Sequence, residues 1–152
     1  MKLAEALNLR STLIKQILGL KSRLVDCVSI PEGENPIDSA EELLKEVEPL
    51  IEQLHQLVFN INLTNLQVKD NGKSITELLA ERDALSMRTQ ILNDCLIQLK
   101  DNKRRYRPDD LKFIQTVEPS VLREMHSKEA SKLRQLNLKI QMLGWMNDLI
   151  EG

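Results

Sequence analysis

The sequence predicts an all-α protein: an antiparallel four-helix bundle, up-down-up-down, of long helices with a structured loop between the third and fourth. Three observations lead there. Apolar residues recur at every third and fourth position through four long stretches, the spacing of one face of a helix. Four aromatic residues (Phe59, Tyr106, Phe113, Trp145) stand against 27 leucines, so the core must be aliphatic and suits helices packed side by side. The gaps between stretches carry turn chemistry, in Pro31, Gly33 and Pro36, in Asp70-Asn71-Gly72, and in Pro108 with Pro119. A chain of 152 residues is one domain of common size with enough length to bury a substantial core.

The first helix spans Leu3 to Cys27, with a seam through Leu3, Ala6, Arg10, Leu13, Ile17, Leu20, Leu24 and Cys27. Arg10 is the member that does not belong in a seam. A second stripe, Leu7, Ile14, Leu18 and Val25, widens the apolar face, so at least two other helices are expected to touch this one. Ser29 to Ile37 then reads as an exposed connection. It opens an acidic run, Glu32, Glu34, Asp38, Glu41, Glu42, Glu46, Glu48 and Glu52 against Lys45 alone, part of which is explained by the preference for negative charge in a first helical turn. The second helix starts at Asp38 or Ser39, each followed three residues later by a glutamate in capping-box spacing. Its seam is Ala40, Leu43, Val47, Leu50, Leu54, Leu57 and Ile61, flanked by Leu44, Ile51 and Val58. Pro49 predicts a kink near Lys45 to Pro49 and not two separate helices. Asn60, Asn62 and Asn65 then announce side-chain hydrogen bonding or an approaching end.

Lys69 to Lys73 is a turn, and Ser74-Ile75-Thr76-Glu77 is a second capping box opening the third helix. On that helix Arg82, beside Asp83, occupies a seam position. Periodicity disappears from Lys100 to Thr116, where Arg104, Arg105, Tyr106 and Arg107 form a basic loop and Phe113, Ile114 and Val117 offer anchors. Pro119 is a favoured first helical residue, and the fourth helix is expected to run to about Ile150.

An up-down-up-down order places the acidic first connection and the basic third connection at one end. At the other end it stacks Arg10, Asn62, Asn65, Arg82 and Asp83 as a polar layer. Burying Arg10 without an acceptor is costly, so Asp83 or Glu5 is its expected partner, with Asn62 or Asn65 completing the hydrogen bonds. Such a layer fixes helix register; a binding site is the other reading of the same residues.

Composition limits function. A formal charge of −2 with 29% charged residues gives no global field for nucleic acid or anionic lipid. Cys27 and Cys95 are isolated, with no C-x-x-C pair, and read as reduced thiols. No secretory signal and no run of 18 apolar residues is present, so a cytoplasmic protein is expected. No catalytic motif occurs, and no cofactor or small-molecule ligand is assigned. Glu52-Gln-Leu-His55 has the spacing of a di-iron ligand pair but stands alone, and His126 with Glu129 and Cys95 reads as structural before it reads as zinc ligation. The basic loop is too short, and too near acidic residues, to predict nucleic-acid binding. Apolar residues beside the seams (Leu9, Leu63, Met87, Ile97, Leu138, Met142) exceed what one bundle hides, and they predict a structural or interaction protein that forms a homo-oligomer.

Several short segments, Met1-Lys2-Leu3-Ala4-Glu5-Ala6-Leu7, Ile61-Asn62-Leu63-Thr64-Asn65, Arg82-Asp83-Ala84-Leu85, Tyr106-Arg107, Lys112-Phe113 and Thr116-Val117, resemble the septicolysin-like family of bacterial helical proteins in order and spacing. Gly144 before Trp145 departs from that pattern, where asparagine is expected. The resemblance implies a membrane-active or pore-forming protein that meets a bilayer only after rearrangement, and it brings no catalytic residues.

Overall fold

A computed structural model describes residues 1–104 and 111–152, the side chains at 103 and 104 excepted. The elements in order are α1 (Leu3–Cys27), α2 (Ala40–Gln67), β1 (Lys69–Asp70), β2 (Lys73–Ser74), α3 (Ile75–Arg104) and α4 (Pro119–Met146). The all-α class stands. Arg105, Tyr106 and Arg107 lie outside the described residues, and Arg104 closes α3. The chain divides into two compact units, Met1–Ser74 with Leu143–Gly152, and Ile75–Met142, each described by itself below.

The first unit is built on the α1–α2 pair. Lys2 precedes α1, and its backbone N–H donates to Glu5 Oε2 at 2.7 Å, which satisfies one of the orphan donors at the helix start. Glu5 thus serves the N-terminus and not Arg10. Ser39 caps α2, its Oγ accepting from Glu42 N at 3.4 Å, and α2 continues as one helix through Pro49. The expected seams are the buried ones: Leu3, Ala6 and Leu13 on α1, Leu43, Leu57 and Ile61 on α2, with Leu20, Leu24, Val47 and Leu50 half-buried between them. The helices run antiparallel. Leu20 shares a shallow groove with Leu50, and Arg23 borders Glu46 and binds Asp38 at the loop end.

The second α1 stripe differs from expectation. Ile14 is 40% exposed, Leu18 54% and Val25 62%; on α2, Leu44 is 53% and Ile51 43% exposed. Amphipathic width predicted cover on two sides, but within this pair only the seam is covered.

Two local features also depart from expectation. The turn at Lys69 to Lys73 is a two-stranded hairpin, Lys69 opposite Ser74 and Asp70 opposite Lys73. Asn71 (φ 49°) and Gly72 (φ 81°) both have positive φ, the signature of a type I′ turn, whose twist matches that of paired strands; Asn-Gly is the dipeptide it prefers. The fourth helix stops at Met146 and not near Ile150. Asn147 ends it by donating to Leu143 O twice, from its backbone N–H at 3.1 Å and from Nδ2 at 2.8 Å.

In the second unit Ile75, Leu78 and Leu85 of α3 are buried, as are Leu122 and Leu136 of α4. Leu13→Ala should cost about 2–5 kcal/mol in urea unfolding, since it empties a buried site, whereas Met87→Ala, on an exposed position, should stay within about 0.5 kcal/mol.

Candidate functional site

Polar chemistry concentrates at one end of the first unit. The residues after α4 extend along the start of α1: Leu3 N donates to Asn147 O at 3.0 Å and Leu149 N to Met1 O at 2.8 Å, an antiparallel bridge between Lys2 and Asp148. Lys2 Nζ meets Asp148 Oδ1 at 2.8 Å, and that hydrogen bond holds the Asp148 carboxyl below its ordinary range. The segment then reaches α2. Thr64, fully buried, donates through Oγ1 to Asn60 O at 2.7 Å and accepts from Ile150 N at 2.8 Å. Asn60 Oδ1, also buried, accepts from Gly152 N at 3.1 Å. A buried hydroxyl and a buried amide thereby serve backbone groups that no helix or strand supplies with partners. The arrangement is a clasp. Its groups are spent on one another, and its chemistry is closure of the unit.

The sequence singled out neighbouring positions. Asn62 is exposed and Asn65 half-buried, while the buried pair is Asn60 and Thr64. The seam itself carries the signal: continuing Leu57 and Ile61 by three reaches Thr64, and Asn60 precedes Ile61 on the same face. Arg10 is half-buried and makes no hydrogen bond or ion pair among the described residues, so its guanidinium keeps water and needs no internal acceptor. Arg82 and Asp83 are brought together, Nη2 to Oδ1 at 3.2 Å, but as sequence neighbours with Asp83 largely exposed.

The connection between α1 and α2 is fixed by a bidentate pair that sequence reading missed. Arg23 donates to Asp38 through Nη2 at 2.8 Å and Nε at 3.2 Å. The hydrogen bond from Arg23 lowers the Asp38 carboxyl below its ordinary value and raises the guanidinium in turn. Asp38 was legible only as a cap or as part of an acidic run; the fork geometry of Arg23 selects it across a loop.

In the second unit a groove of about 680 Å³ lies among Glu81, Arg88, Glu129, Lys132 and Lys139 over Leu85 and Leu136. Glu129 is engaged with Lys132 at 3.5 Å, and the charges are of both signs, which selects no ligand class. Among the described residues no group of three or more His, Cys, Asp or Glu has metal-holding geometry, and no helix is long and apolar enough to cross a membrane.

The remaining candidate is a surface. On α1 the stripe Leu7, Ile14, Leu18 and Val25 lies about 100° ahead of the seam, and on α2 Leu44, Ile51 and Val58 lie about as far ahead of theirs at 100° per residue. In an antiparallel pair joined seam to seam, equal rotation in the same sense brings both stripes to one side. Ile14, Leu18, Val25, Leu44 and Ile51 therefore lie exposed on one side of the pair, with Lys21, Glu48 and His55 at stripe positions between them.

Thr64→Val should free the Ile150 amide and cost about 1–3 kcal/mol, with faster hydrogen exchange at residues 149–152, while Thr64→Ser should keep protection. Asp38→Asn tests the loop pair. A carboxyl whose folded pKa is depressed stabilises above its unfolded value near 3.8 and loses that contribution as pH falls through the folded value. The gap in urea midpoint between wild type and Asp38→Asn should therefore be constant at neutral pH and shrink below about pH 4.

A family profile described as a family of unknown function, DUF6847, matches residues 10–149. The chain is also similar to a functionally unknown conserved protein from Corynebacterium diphtheriae, known from a crystal structure, with 31% identity, a TM-score of 0.93 and 99% of each chain covered. No curated protein matches. These matches overturn the septicolysin-like resemblance, for which nothing in them speaks; its segments are two to seven residues long, too short to be specific. The family profile spans nearly all of the sequence, from Arg10 to Leu149, and the chain belongs to the DUF6847 family.

Proposed function

We propose that this chain is a non-catalytic helical interaction protein whose working surface is the apolar face of α1 and α2. The observation that carries the reading is the placement of Ile14, Leu18, Val25, Leu44 and Ile51, all substantially exposed, on one side of an antiparallel pair. Single apolar residues at a surface are ordinary; exposed apolar residues at helical spacing on one side of two adjacent helices mark a contact surface. The Arg23–Asp38 fork and the clasp on Thr64 fix the two ends of the pair, so the face is carried on rigid elements. The role that fits an exposed apolar side is recognition.

Hydroxyl-radical footprinting of the full chain in cell extract tests this. Leu18, Leu44 and Ile51 should be labelled more slowly than Leu66, which is exposed to a similar degree but lies off the face. Equal labelling of all four would remove the reading.

A further inference from the structure

We infer that the start of α1 and the end of α2 form a receptor groove for an extended peptide of a partner protein, a groove that the chain's own residues 148–152 occupy as a displaceable strap. The site is independent of the exposed apolar side proposed above.

The strap is held as a peptide ligand is held. Its amides alternate: Leu149 N turns to Met1 O at 2.8 Å, while Ile150 N and Gly152 N turn to α2, to Thr64 Oγ1 at 2.8 Å and Asn60 Oδ1 at 3.1 Å. That alternation is the period of an extended chain, and holding such a chain by its backbone is a recurrent mode of peptide recognition. The side chains add a pattern two residues apart. Position 148 offers a carboxylate to Lys2, position 150 is aliphatic and half-buried, and at 152 a Cβ would stand 2.6 Å from Phe59 Cε1 and 3.2 Å from Leu63 Cδ2, which favours glycine. The matching ligand carries an acidic residue, an aliphatic residue and a glycine at alternate positions.

The groove is preformed. Thr64 Oγ1 donates to Asn60 O at 2.7 Å and so keeps its lone pairs for an incoming amide, and Gln56 Nε2 reaches Asn60 Oδ1 at 3.4 Å. Both acceptors stand on α2, which the aliphatic seam with α1 positions.

The strap is lightly held. None of residues 148–152 is buried, and the side chains of the Lys2–Asp148 pair are 41% and 76% exposed. It covers the buried polar groups of Asn60 and Thr64, which water can serve when it lifts, whereas Phe59 is already 51% exposed. Upstream the chain stays anchored, with Leu143 buried and Gly144 against Ala4. Opening therefore hinges after Asn147 and uncovers little apolar surface.

Fluorescence anisotropy of a labelled, amidated peptide with the sequence of residues 148–152 tests this on the full chain. Asp148→Lys/Ile150→Pro sets like charges together and removes the amide that Thr64 accepts, so it should release the strap and leave the groove intact. This variant should keep its helical circular dichroism and bind the peptide at least tenfold more tightly than wild type. Adding Thr64→Val to it should cut that binding at least fivefold, and a peptide with proline in place of Ile150 should bind neither chain. Loss of helix in the released variant, no gain in peptide binding, or equal binding of the proline peptide would overturn the inference. So would a wild-type dimer that the same two substitutions dissolve, since the strap would then be exchanged between copies.

Discussion

The seam between α1 and α2 is the contact on which the first unit depends. Leu3, Ala6 and Leu13 of α1 and Leu43, Leu57 and Ile61 of α2 are its buried members, and burial of these aliphatic side chains supplies the favourable energy there. The polar contacts that close the unit lie where the seam ends. Arg23 and Asp38 tie the loop at one end, and Thr64 and Asn60 receive the residues after α4 at the other. The hydrophobic contact sets which helix faces which, and the polar contacts set where the pairing stops.

The amino-acid pattern carried this much directly. The residue range of α1, a cap at one of the two candidates Asp38 and Ser39, the continuation of α2 through Pro49, and the buried members of both seams follow from period, capping chemistry and punctuation, all of which act within a few residues. What it did not carry depends on partners distant along the chain. Ile150 continues the α4 period and reads as helical, yet Asn147 turns the chain aside and Ile150 gives its N–H to Thr64. Arg10 interrupts a seam and invites a buried partner, but its site is open enough to keep its water. Asn62 and Asn65 drew attention by composition, whereas burial fell to Asn60 and Thr64 because phase along the seam, and not polarity, decides which side chains turn inward.

The same division applies to the candidate surface. Periodicity located the second stripe on α1 and the flank on α2, but periodicity describes only how wide an apolar face is. Whether a neighbouring helix covers it is a property of the assembled chain, and Leu18 and Leu44 are uncovered. Width without cover is the feature on which the proposed recognition surface rests.

The clasp also bears on how the molecule is made. Thr64 and Asn60 are translated early, while the amides they accept belong to residues 150 and 152, so the first unit is assembled from segments separated by the whole of α3 and most of α4. During synthesis the α1–α2 pair must persist on the ribosome with its polar end open until the last of these residues emerges, and such non-local closure is slow. A nascent chain in that interval leaves the Thr64 hydroxyl and Asn60 Oδ1 without the amides they accept in the folded unit.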